Sequence, residues 1–65
     1  MSENKIQDYE VINAMQRYGG GFVSQLGHAA ALADSDNLRR IKETWADYWA
    51  GYTQLVKEMR KETKP

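Results

Sequence analysis

Cysteine is absent from this 65-residue chain. That excludes disulfides and thiolate metal sites. The single histidine, His28, leaves too few ligands for a zinc site built from one copy. An excess of either charge is also absent: nine basic and nine acidic side chains cancel. The balance disfavours a wholly basic nucleic-acid binder and a highly acidic nucleic-acid mimic. Long apolar runs are missing too. The longest, Ala29 to Ala33, is far too short to span a membrane. Met1-Ser2-Glu3-Asn4-Lys5 lacks a cationic-then-apolar signal pattern. These absences lead to the expectation of a soluble intracellular protein with no metal or cofactor. A domain of this size buries only about 60% of its unfolded-chain surface. Without disulfide or metal, a compact three-helix monomer or an oligomer remains.

What is present is an apolar seam in the C-terminal half. Leu38, Ile41, Trp45, Tyr48, Tyr52, Leu55 and Met59 follow one another at unbroken spacings of three and four. That is the pattern of a helix packing along its length against other helices. Trp49 and Val56 widen it on one flank.

The chain reads as one domain, residues 1–65, of three helices. The first spans about 4–18, with one track at Ile6, Tyr9, Ile12 or Asn13, and Gln16, and another at Val11, Met15 and Tyr18. Ser2 or Asn4 can cap it, and Glu3 and Asp8 favour its N-terminal dipole. Gly19-Gly20-Gly21 stops it, with a left-handed glycine the expected device. The second helix spans about 22–33, with Phe22, Val23, Leu26, Ala29, Ala30 and Ala33 on one side. Gly27 and the alanines keep it thin, so the large aromatics of the third helix are expected across it. Asp34, Ser35 or Asp36 caps a third helix of about 36–62. Gly51 within it is expected to mark close helix contact. Lys57, Arg60, Lys61 and Lys64 suit its C-terminal dipole.

A straight third helix of this length is roughly 40 Å long, against roughly 22 and 18 Å for the first two. Folded back as a hairpin, the short helices cover about half of it. Either the two short helices lie end to end along it or, as the favoured expectation, a second chain covers the distal seam, from Trp49 to Met59, since uncovered aromatic seam would be an unusually large patch. Charge is dipolar as well. Residues 1–35 carry a net −2 and residues 36–65 a net +2, which could support weak, salt-screened head-to-tail pairing.

Each candidate site has a plainer alternative. Gly20 and Gly21, with Arg17 nearby, could offer helix N-terminal amides to an anion. The strand and Lys-Ser/Thr pair of a phosphate loop are missing, and a tight turn is the simpler reading. His28 lies one turn after Ser24, yet such pairs arise readily on helices without catalysis. Asp34 and Asp36 resemble the opening of a calcium loop whose continuation is missing, so capping is the expected role. Arg39, Arg40 and Lys42 sit at the unfavourable end of the third helix. They read either as a solvated face or as a small basic patch for phosphate or an acidic partner. Trp45, Tyr48, Trp49 and Tyr52 could stack on bases, but this spacing favours core or interface. Trp and Tyr also dominate binding hot spots.

The series Tyr18-Gly19-Gly20-Gly21-Phe22-Val23, Leu26, Ala33-Asp34-Ser35-Asp36-Asn37, Ile41, Tyr48-Trp49 and Tyr52 resembles a class of short uncharacterised bacteriophage and prophage proteins. The resemblance covers roughly residues 10–55 and implies a viral origin and a bacterial-host cytoplasm. It brings no active site.

The leading functional expectation is a non-enzymatic, all-helical binding protein, homo-oligomeric, acting by contact with a host or phage macromolecule. Its contact residues would be Arg39, Arg40, Trp45, Trp49 and Tyr52. The alternative is a nucleic-acid or nucleotide binder of a sponge-like kind, using Arg39, Arg40 and Lys42 with nearby aromatics or the triple-glycine turn. An enzyme is the weakest reading, because no catalytic pair clusters with a nucleophile or metal.

Overall fold

The computed structural model describes residues 5–63, with side chains described through Arg60. Four helices follow in order: α1 Asp8–Tyr18, α2 Gly21–Leu32, α3 Ser35–Thr44 and α4 Ala46–Thr63. The all-helical expectation holds, but the expected third helix is two helices. The chain turns at Trp45, where φ is −116° and ψ is 49°. A straight helix of roughly 40 Å would exceed the longest dimension of the molecule, 35 Å.

No glycine or proline causes the break. The Trp45 amide still donates to the Ile41 carbonyl at 3.0 Å, and the Trp49 amide to the Trp45 carbonyl at 3.0 Å. The turn therefore keeps helical hydrogen bonding on both sides. What favours it is tertiary: Phe22 meets Trp45 edge-on at 5.9 Å and Tyr48 at 6.0 Å between ring centroids. Packing of this kind outweighs local helix propensity.

The start of α1 also differs from the expected residue 4, because Lys5 to Gln7 are not helical. Glu10 provides the reason. Its carboxylate accepts from the Gln7 amide at 3.1 Å, fixing the N-terminus one turn later. Ser2, Asn4 and Glu3 lie outside the described residues, as do the side chains of Lys61 and Lys64.

Two residues, Gly19 and Gly20, connect α1 to α2. The expected left-handed glycine is absent among the described residues. Gly19 is extended, with φ −72° and ψ 150°, and its amide donates to the Met15 carbonyl at 2.9 Å. Glycine is required there by space. A Cβ would stand 2.5 Å from the Met15 carbonyl oxygen and 2.7 Å from a Val23 methyl.

The core lies between α1 and α2. Val11, Ala14, Met15, Val23, Leu26 and Ala30 are buried, joined from α4 by Val56. Of the two expected tracks on α1, Val11–Met15 enters the core, while Tyr9 and Tyr18 are exposed. Gly27 lets the helices approach: its missing Cβ would lie 3.0 Å from Met15 Cβ. The thin side of α2 thus receives α1, and the aromatics meet its edge at Phe22.

The break also changes how the seam is covered. Ile41, Trp45, Trp49 and Tyr52 pack half-buried around the core, along with Ile6. Val56 is buried within it. Of the distal seam, Trp49, Tyr52 and Val56 pack within the chain, while Met59 stays 37% exposed. Gly51 is open to solvent, with nothing within 4 Å of an added Cβ, so it marks no close helix contact.

Candidate functional site

Two cross-links between α1 and the C-terminal half set the local electrostatics. Lys42 Nζ donates to both Asp8 carboxylate oxygens, at 3.1 and 3.2 Å, and sits 5.5 Å from the Trp49 ring centroid. Arg60 donates to both Glu10 oxygens, at 2.9 and 2.8 Å. Glu10 therefore both caps α1 and anchors α4.

These pairings divide the expected basic patch. Lys42 turns inward to α1. Arg39 hydrogen-bonds Asp36 and lies 3.6 Å from Glu43, and Arg40 lies 3.8 Å from Asp36. The arginine side chains are exposed, but acids accompany each of them. The patch was legible only as a run of like charges, because sequence spacing does not show where a lysine stem is directed.

The other candidates take local structural roles. Ser24 Oγ donates to the Gln16 carbonyl at 3.2 Å, tying α2 to α1 rather than engaging His28. Asp34 Oδ1 accepts from the Asn37 amide at 2.8 Å and caps α3 as expected. Asp36 serves the arginines. No group of three His, Asp or Glu suited to a metal ion occurs among the described residues. Gly20 precedes the first turn of α2, whereas Arg17 lines a groove between α1 and α4 with Glu10, Asn13, Ala14, Tyr18, Val56, Met59 and Arg60. Gly20 and Gly21 are not part of that groove, so this anion-site trio is not assembled around one pocket.

The five expected contact residues also separate. Trp49 and Tyr52 pack toward the core. Arg39 lines neither the α1–α4 groove nor the one beside α2. Arg40 and Trp45 come together in an open groove between α2 and α3, with Ala29, Leu32, Ala33, Asn37, Ile41 and Thr44. Its volume of about 460 Å³ exceeds the 270 Å³ of the α1–α4 groove.

Leu32 in this groove and Phe22, which meets its Trp45, are two of the exposed large apolar side chains; Tyr9 and Tyr18 of α1 are exposed as well. Leu32 is 76% and Phe22 56% exposed, and Tyr48 projects beside Phe22. The floor is aliphatic and aromatic, and Arg40, Asn37 and Thr44 give a polar rim. Among the described residues no buried side-chain nitrogen or oxygen lacks a partner. The groove therefore offers apolar contact with a polar edge, the anatomy of a protein-binding surface.

Sequence reasoning passed over Leu32 and Phe22 as surface anchors. A signal was available: Leu32 falls off the apolar side assigned to the second helix, so that side could not bury it. No family model, curated protein or solved structure matches the chain.

Proposed function

We propose that this chain is a non-enzymatic helical binding protein that acts by protein–protein contact. Its contact surface is the face formed by α2, α3 and the first turn of α4. The observation that carries this reading is the exposure of Leu32 in the groove lined by Ala29, Ala33, Ile41 and Trp45, with exposed Phe22 against Trp45 at its edge. Leaving two large apolar side chains in water beside a ready cleft forgoes burial that a partner would supply. Aromatic anchors and a rim arginine are the residue types on which interface energy concentrates. The resemblance to short bacteriophage proteins adds the class of partner, a host or phage macromolecule in a bacterial cytoplasm, further copies of this chain included. The mode of action would be occlusion or scaffolding.

A photo-crosslinking amino acid at position 32, with position 57 as control, tests the reading in bacterial cells. Lys57 is exposed on α4 and lines neither groove. The expected result is a discrete protein adduct from position 32 that Trp45→Ala diminishes, with none from position 57. No adduct at 32, or equal adducts at both positions, overturns it.

A further inference from the structure

We infer that the occupant of this face is a second copy of the chain, paired through α2 about a two-fold axis. The inference rests on the reading of the face as a protein-binding surface and names its partner. The first observation is charge. Gly21–Leu32 contains no Asp, Glu, Lys or Arg, in a chain that is 28% charged. Every other helix carries both signs. Two-fold pairing sets a patch against itself, so a charged patch must solve like-charge repulsion. The α2 surface has no such repulsion to solve.

The second observation is shape. Val23, Leu26, Gly27 and Ala30 face the core. On another side, Phe22, Gln25, Ala29 and Leu32 are all exposed, at spacings of three, four and three. The stripe is bulky at both ends and slimmer at Ala29. An antiparallel copy places each Phe22 beside Leu32 of the partner subunit and each Gln25 beside Ala29 of the partner subunit. Exposed apolar ends then cover one another, while Gln25 keeps a polar group near the axis. Trp45 and Tyr48, already against Phe22, widen the contact.

The contact is small. A 12-residue helix is about 18 Å long, which keeps the buried area at or below about 1,200 Å². The dimer is accordingly weak and concentration-dependent, with a dissociation constant on the order of micromolar.

Sedimentation velocity from about 1 µM to 1 mM reads this directly. The wild type is expected to move from the 7.5 kDa monomer toward twice that mass. Leu32→Glu is expected to stay monomeric throughout with an unchanged circular dichroism spectrum, because Leu32 is exposed. Gln25→Cys should crosslink to itself with a short bis-maleimide, and Lys57→Cys should not; the chain has no native cysteine to interfere. A wild type that is monomeric at the highest concentration overturns the inference. So does a dimer indifferent to Leu32→Glu, or one crosslinked through position 57 instead of 25. A monomer whose position-32 adduct contains a different protein removes the second copy and keeps the face as a binding surface. Absence of both dimer and adduct removes both readings.

Discussion

The α1–α2 hairpin and the α3–α4 arm hold together in different ways. Among the described residues the hairpin supplies six of the seven buried apolar side chains, and its close approach depends on Gly19 and Gly27. The arm carries both tryptophans, yet among its described side chains Val56 alone is buried. Its other contacts are half-buried rings and two ion pairs that reach back to α1. Ion pairs of this exposure contribute at most about 1 kcal/mol each. Aromatic content therefore does not locate the core here. Small residues determine where two helices can meet, and the rings wrap around that meeting.

The largest expected effect follows from Met15, which is 0% exposed at the centre of the hairpin. Met15→Ala removes a side chain enclosed by both helices and should cost roughly 2–5 kcal/mol. At about 0.05–0.15 kcal/mol per residue, that is a large share of the stability of so short a chain. In urea unfolding followed by circular dichroism, the midpoint should collapse toward zero denaturant. Tyr48→Ala in the arm should move it far less, because Tyr48 is 41% exposed. Equal losses at the two positions would show that the arm is as integral to the core as the hairpin.

Gly19→Ala comes next and tests the connection. The added Cβ meets the Met15 carbonyl oxygen at 2.5 Å, and that oxygen cannot swing aside as the end of a flexible side chain could. Overpacking of this kind typically costs roughly 1–3 kcal/mol. Gly20→Ala meets nothing within 4 Å and should stay within about 1 kcal/mol, the scale of a changed helix cap. Thermal melts of the two variants, one residue apart, should separate clearly. If they coincide, the hairpin is looser at its turn than the packing of Val23 on Gly19 implies.

The contrast between the two regions also explains what could be read in the sequence. The hairpin was largely legible. The glycines placed the turn, one of two apolar tracks expected on α1 supplies Val11 and Met15 to the core, and the limits of α2 differ by one residue from those expected. The cap of α3 was legible only as a choice among Asp34, Ser35 and Asp36, of which Asp34 takes the role. The arm was not legible in the same way. Leu38 to Met59 keep a helical pattern with no glycine or proline near Trp45, so nothing local marks Trp45 as a turn. Phe22, far back in sequence, supplies the contact there. Lys42 is a second case: its partner, Asp8, lies on another helix 34 residues away. Of the five expected contact residues, Arg40 and Trp45 line the groove. Trp49 and Tyr52 looked like surface anchors because the expected straight helix left them uncovered, and the break at Trp45 turns them toward the core.

Gly51 carries the smallest expected effect, and its sign is the informative part. In a continuous arm needing outside cover, a glycine between Trp49 and Tyr52 would mark close approach of another helix. In the broken arm it is exposed in the interior of α4, with open space around an added Cβ. Glycine in a helix interior is about 1 kcal/mol less favourable than alanine, chiefly through backbone entropy. Gly51→Ala should therefore stabilise the protein by about that amount and raise Tm by about 4–8 °C for a domain of this size. Measured at a low protein concentration, the gain reports on the single chain. If it persists at high concentration, self-association leaves this side of α4 uncovered, as pairing through α2 requires. If it reverses to a loss as concentration rises, a second chain is seated against Gly51, and the arm rather than α2 forms the contact between copies.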